Sequence, residues 1–248
     1  MKIAASNEAV TEIEKGAEQV LGDSANKELL MYLKHHAQRL ALDYEWLMAA
    51  TDPSSKILEI GGFPFFLSSA VLKQGRDLHV VDKLTDEALL YALALDNEVV
   101  GCNIETERLP FPDNTFDEVL LNEVFEHLRI DPIHTIEEIR RVLRPNGRLW
   151  LSTPNLRSLR GIINFLYKSE AWSVVGEGVY AQYKQLRDSG CMGHVREYTA
   201  KEVTDFLGHT GLKTEAVIFR GEYSTAIAKT ISTIFPSLKP YFSIVARK

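Results

Sequence analysis

Several polar residues in this 248-residue chain stand where apolar runs end, with types and spacings suited to gripping a ligand. Gly61 and Gly62 close the run "ILEI", and glycine at such a turn lets the backbone approach a ligand and adopt positive φ. Asp82 closes the next run, "LHVVD", 23 residues after Glu59. An acid about 20 residues beyond a glycine turn is placed to accept both O–H groups of a ribose diol. Asn103 closes a third run, where its amide can donate or accept at a base edge. Four further residues are candidates for work on a substrate. His127, in "EVFEHL", and His194, opening "HVREYT", carry the side chain best tuned for proton transfer near neutral pH. Arg196 is suited to a carboxylate, phosphate or sugar hydroxyl, and Tyr180 is the second candidate substrate contact.

The elements that must position these residues follow from hydrophobic period. Residues 1–50 are expected to be helical, with Leu29, Leu30, Leu33, Leu40, Leu47 and Met48 at helical spacing. From Lys56 short apolar runs at 56–61, 78–82, 98–103, 116–122 and 147–154 alternate with helical patterns at 65–75, 84–95 and 131–144. Strand–helix alternation of this kind implies right-handed crossovers and a parallel sheet with helices on both faces. Ligands bind such sheets at the carboxyl ends of the strands. Two more strands are expected at 212–220 and 241–248, the last returning as an antiparallel edge, with a helical stretch near 223–234 between them. Residues 155–196 interrupt the alternation, and Gly176, Gly178, Gly190 and Gly193 loosen the segment, as expected of a lid or substrate cap. Thr199 is the expected cap of the helix that follows.

Bulk properties narrow the function classes. Net charge is −6 and the pI is about 5.7, which argues against a nucleic-acid partner. No apolar run approaches the ~18 residues of a membrane span. The N-terminus lacks the apolar segment of a signal peptide. Cys102 and Cys191 lie far apart, and no His/Cys/acid group has metal-ligand spacing, so free thiols, a cytoplasmic setting and no metal are expected.

Taken in order, "ILEIGG", "VVD", "LPFPDNTFDEVLLNEVFEHL", "EEIRRVLRPNGRLWLSTPN" and "HVREYTAKEVTDFLGHTGL" resemble the class I S-adenosylmethionine-dependent methyltransferases, over about residues 56–220. The "TPN" and "HVREYT" pairing is similar to a small-molecule and glycan branch of that family. The resemblance implies an α/β fold: a doubly wound, mostly parallel, seven-stranded Rossmann-like sheet at 51–248, an N-terminal helical cap at 1–50 and a helical lid at 155–196. It implies S-adenosyl-L-methionine as cofactor. Glu59 and Gly61, with Gly62 and Phe63, would shape the methionine end. Asp82 would hold the ribose, and Asn103 and Ile104 would flank the adenine. Asn122 and Glu123 would lie beside the methionine or the substrate. Methyl transfer to a hydroxyl of a small molecule or sugar follows from the branch and the histidines, with N- or C-methylation as the alternative.

One stretch departs from the family. Its turn is G-x-G-x-G, whereas here Gly61 is followed by Phe63 and Phe65. Either Pro64 holds the turn open with a ring packed beneath the cofactor, or the rings plug the pocket and the chain is a binding module without catalysis. The first is expected, because Asp82 and the rest of the pattern are kept. The spacing Tyr180-x-x-x-Lys184 also matches a nicotinamide-dependent reductase, but the first strand lacks G-x-G-x-x-G.

Overall fold

The computed structural model describes residues 4–22, 26–95, 97–176, 178–189 and 193–248; Gly190 and Cys191 therefore lie outside the described residues. Two helices come first, α1 (Asn7–Leu21) and α2 (Lys27–Ala50). Five strands and three helices follow, alternating except that β3 leads directly to β4: β1 (Lys56–Ile60), α3 (Phe66–Leu72), β2 (Asp77–Asp82), α4 (Asp86–Ala92), β3 (Val99–Gly101), β4 (Phe116–Asn122), α5 (Pro132–Val142) and β5 (Leu143–Pro154). The insertion holds α6 (Leu159–Ile163), a π-turn and α7 (Val179–Ser189). The chain continues through α8 (Ala200–His209), β6 (Lys213–Arg220), α9 (Ala226–Ile234) and β7 (Tyr241–Arg247).

The sheet has seven strands in the order β3-β2-β1-β4-β5-β7-β6, with β1 to β5 parallel and β7 antiparallel to both neighbours. Strand order reverses between β1 and β4, so the carboxyl ends of these two strands flank the crevice. Two strand assignments need correction. β7 is no edge strand: it runs between β5 and β6 and five consecutive residues of it are buried, which leaves β6 at the edge. β5 starts at Leu143, opposite Phe116, and a bulge at 144–147 absorbs the "RPNG" turn before Arg148 pairs with Glu118.

Alternate residues serve two cores. Ile57 packs with α1, α2, α3 and α4 on one face, and Leu58 and Ile60 pack with α5 and α8 on the other. α1 and α2 thus share one core with α3 and the sheet. α1 buries Ala9, Ile13, Gly16, Ala17 and Val20, and Ser6 caps it by accepting the Ala9 N–H at 3.2 Å. Its contact with α3 is closest at Gly16, where a Cβ would stand 2.6 Å from Phe66 O and 2.9 Å from Ala70 N. Gly16→Val is therefore expected to destabilise the protein by about 1–3 kcal/mol, although valine is the better helix former. Urea unfolding checks this, and a gain in stability would show that the helices do not meet there.

The insertion is tied at its base, where Asn155 bridges to Tyr198 and the Leu156 N–H donates to Tyr198 O at 2.9 Å. α8 begins with the expected cap: the Thr199 side chain accepts the Glu202 N–H, and Glu202 accepts the Thr199 N–H at 2.8 Å.

Candidate functional site

β1 ends in a turn that only glycine can make. Gly61 has φ +73°, and a Cβ on it would lie 2.4 Å from Val124 Cγ2, so the backbone after β1 packs against the side chain of Val124 after β4. Beyond Gly62 the rings turn away from that junction. Phe65 takes a left-handed φ of 64° at the start of α3 and is fully buried in the helical core. Phe63 packs edge-on against Phe65 at 5.9 Å and against Tyr91 at 6.2 Å. The Phe63 backbone N–H is left directed at Asp82 Oδ2, 2.8 Å away. The Lys83 N–H donates to Oδ1 at 2.7 Å.

A cavity of about 210 Å³ opens at this junction, and Gly61, Asp82, Asn103, Ile104, Val124 and His127 are among its walls. Neither aromatic ring of the turn lines it. Burial pushes the Asp82 carboxyl above the usual range, while the Phe63 and Lys83 N–H groups pull it back. The Asn103 amide oxygen accepts the Glu105 N–H at 3.3 Å, and Glu105 Oε1 accepts the N–H groups of Arg129 and Ile130 at 2.5 Å each. This ties the loop after β3 to the loop after β4 along the cavity's rim. Cys102 also lines the cavity, its thiol pushed up to about 11 by burial and by Glu107. Nothing in the linear pattern marked Cys102, Val124 or Arg129.

Strand alternation explains which expected residues stand elsewhere. Glu59 belongs to the opposite face from Leu58 and Ile60; its carboxylate accepts Ser68 Oγ at 2.5 Å behind the turn, and burial pushes it up to about 7 against that hydrogen bond. Gly62 is packed between Ser68, Val80 and Phe65. Asn122 lies under α2 beside Asp43 and Trp46. Glu123, at φ +56°, accepts Ser152 Oγ at 2.9 Å and stands 3.5 Å from Arg39 Nη1.

The two candidate histidines come together, their rings 5.0 Å apart and edge-on. His194 Nδ1 is 3.2 Å from Glu197 Oε1. Burial raises the Glu197 carboxyl, but His194, the Ser173 hydroxyl and the N–H groups of Ser173 and Val174 outweigh it and hold it below the usual range. An ionised carboxylate only accepts, so Nδ1 carries a proton toward it, and in the neutral ring the lone pair is on Nε2. Behind them Glu126 is buried; Thr153 Oγ1 donates to its Oε2 at 2.9 Å, while Oε1 has no hydrogen-bond partner and lies 4.0 Å from His194 Nε2. Burial and Glu123 push Glu126 well above the usual range. Ligand atoms of Glu126, His127 and His194 all fall within 4.8 Å of one another, a grouping that the linear spacing concealed.

Arg196 and Tyr180 stand apart from this cluster. Arg196 is exposed, pairs with Glu202 at 2.5 Å and lies over the Tyr198 ring. Tyr180 is 79% exposed on α7, and Lys184 pairs with Asp188, so the Tyr-x-x-x-Lys spacing forms no reductase dyad.

The sheet order, the crevice at its reversal point and the Gly61–Asp82 cavity coincide with residues 58–151, which match the methyltransferase domain family. The fold is that of the S-adenosylmethionine-dependent methyltransferases. A methyltransferase structure from Archaeoglobus fulgidus superposes with a TM-score of 0.60 at 16% identity, covering 88% of this chain and 99% of that one. Over 105 residues the chain is 36% identical to a ubiquinone/menaquinone biosynthesis C-methyltransferase of Geobacter sulfurreducens, covering 40% of this chain and 38% of the relative. Over 120 residues it is 39% identical to the 27-O-demethylrifamycin SV methyltransferase of Amycolatopsis mediterranei, covering 44% and 41%. The chain spans about two fifths of the length of the curated relatives it matches. The cavity suits the family's cofactor, S-adenosylmethionine: it offers a glycine-lined approach at Gly61 and a carboxylate with unused lone pairs at Asp82. Among the described residues, no helix is long and apolar enough to cross a membrane.

Proposed function

We propose that the protein transfers a methyl group from S-adenosylmethionine to a hydroxyl of a small molecule or sugar. The observation that carries this reading is the open cavity at Gly61 and Asp82, clear of Phe63 and Phe65, with His127 in its wall and the His194 ring 5.0 Å behind it. Bound there, the cofactor supplies an electrophilic methyl on a sulfonium sulfur. The chain's own residues do the rest. Asp82 grips the ribose, and Asn103 and Ile104 border the base. Gly61 and Val124 set the depth of the methionine end, and Glu59, Gly62 and Phe63 brace the turn from behind. His194, oriented by Glu197, would take the acceptor hydroxyl's proton on Nε2 as that oxygen receives the methyl group. His127 lies between that imidazole and the cavity. Catalysis is otherwise alignment and exclusion of water. A cytoplasmic setting is part of the proposal and rests on Cys102, whose thiol is in no disulfide.

Titration calorimetry with S-adenosylhomocysteine tests the cofactor half: no heat from a folded sample would defeat it. The catalytic half is read with methyl-labelled cofactor and a panel of phenols and sugars. On the best acceptor, His194→Gln is expected to lower kcat by about 10²-fold or more and leave S-adenosylhomocysteine affinity unchanged. An unchanged kcat would remove His194 from the chemistry.

A second reading has a specific observation behind it, the unpartnered buried Glu126 Oε1 beside two imidazoles. This is a donor set for a divalent cation, which would acidify the hydroxyl in place of the imidazole. Tetrahedral donors at 2.0–2.1 Å stand about 3.3 Å apart, closer than the 4.0 Å between His194 Nε2 and Glu126 Oε1, which favours the proton-transfer reading. Dialysis against EDTA separates the two. Turnover within twofold of the untreated enzyme supports the imidazole; a tenfold loss restored by Zn²⁺, Mn²⁺ or Mg²⁺ assigns the cluster to a cation.

A further inference from the structure

A second cavity, of about 610 Å³, lies between the first half of α2, the end of β6 and the start of β7, with His36, Arg39, Arg220, Glu222 and Tyr241 in its wall. It neighbours the cofactor cavity through two consecutive residues: Val124 lines the cofactor cavity, and Glu123 stands 3.5 Å from Arg39. We infer that this cavity receives the methyl acceptor, and that the acceptor carries an oxyanion, a carboxylate or phosphate, held by Arg39 and Arg220. The inference rests on the methyl-transfer reading for the word acceptor and on the two arginines for the anion.

Arg220 is 1% exposed. Its Nη1 donates to Asp43, but Nε and Nη2 have no hydrogen-bond partner. Arg39 donates from Nη2 to the Tyr32 hydroxyl at 3.0 Å, and its Nε is likewise unpartnered. Buried donors without acceptors are costly, and three of them on two guanidiniums in one cavity wall call for an acceptor-only group with several lone pairs. A carboxylate or phosphate is that group, and guanidinium is its best-matched partner. The other walls agree. His36 is held down to about 4 by burial and by Arg39, so it is neutral near pH 7 and adds no competing charge. Burial and Glu123 push the Tyr241 phenol up to about 12, which keeps it a donor. Glu222, the carboxylate in the wall, is paired with Lys229 at 2.7 Å. A cationic amine would face two arginines, and a neutral sugar alone would find few acceptors for its hydroxyl protons. The role assigned by sequence to Arg196 thus passes to a pair 181 positions apart in the chain.

The test uses benzoate, phenyl phosphate and neutral benzamide, titrated by saturation-transfer NMR onto the full chain, both alone and loaded with S-adenosylhomocysteine. Benzoate or phenyl phosphate is expected to bind at least tenfold more tightly than benzamide, and whichever does so names the oxyanion. Arg39→Gln, and the charge-balanced double variant Asp43→Asn/Arg220→Gln, should each remove at least tenfold of that affinity. Both should remain folded at the assay temperature, by circular dichroism, and keep S-adenosylhomocysteine affinity. Equal binding of benzamide, anion binding unmoved by these substitutions, or no binding of either anion would overturn the inference. Failure of S-adenosylhomocysteine to bind would instead strike the methyl-transfer reading, leaving the anion result readable by itself.

Discussion

Asp82→Asn is expected to weaken S-adenosylhomocysteine binding by about 10²–10³-fold while the protein stays folded. Each carboxylate oxygen already accepts one backbone N–H, from Phe63 and from Lys83, and retains a lone pair toward the cavity. Hydrogen bonds to a charged group contribute about 1.5–3 kcal/mol each, and two hydroxyls of a diol account for the predicted factor. The asparagine amide also turns an N–H₂ toward one of those N–H donors, so the turn as well as the diol loses an acceptor. The same geometry carries a pH dependence. Burial raises the Asp82 carboxyl above the ordinary range, and the diol needs the ionised form. Affinity should therefore be full at neutral pH and fall on acidification, starting at a higher pH than for an exposed aspartate. Calorimetry from pH 8 to pH 4 reads both effects. A wild-type affinity in the variant would mean that the ribose is held elsewhere.

The largest loss of stability is expected from Asp43→Ala. Arg220 and Asp43 are both buried, and Asp43 takes the Nη1 hydrogen bond of Arg220, whose guanidinium lies 5.5 Å from the Trp46 ring. Removing one partner of a buried ion pair leaves an uncompensated charge and costs about 3–5 kcal/mol, a large part of the 5–15 kcal/mol typical of a folded protein. Glu123, 3.9 Å from Arg220 Nη2, compensates only in part. Replacing both partners, as Asp43→Leu/Arg220→Met, should recover most of the loss, because two fitting apolar groups need no solvation. Urea denaturation of the two single variants and the double gives the coupling. A cost below about 1 kcal/mol for Asp43→Ala would show that water or another acid reaches Arg220.

Strands buried on both faces read as apolar runs, which is why β1, β2 and β4 were visible within a residue of their ends. The Thr199 cap was equally local, since its partner is three residues away. Other features depend on what no window of sequence contains. The direction of Phe65 follows from a left-handed φ that pattern rules reserve for glycine, and it decides whether the cavity is open. Arg220 and Asp43 are 177 residues apart, and each looks like an ordinary charge until β6 ends beside α2. Arg196 looked functional because it follows His194, yet the Thr199–Glu202 cap gives it an acid at the surface. The place of β7 was open for the same reason: apolar character marks a strand but not its neighbours.

That place matters for how the molecule comes off the ribosome. Residues 241–247 are the last of the seven strands to be translated, yet among the described strands β6 pairs only with them, and β5 meets β6 only through them. Until they emerge, the nascent chain presents the bare side of β5 and an orphaned β6, both templates for mispairing with other chains. Arg220 and Tyr241, which help wall the second cavity, are brought side by side by that same late zippering. The proposed acceptor cavity should thus be complete only once β7 has paired.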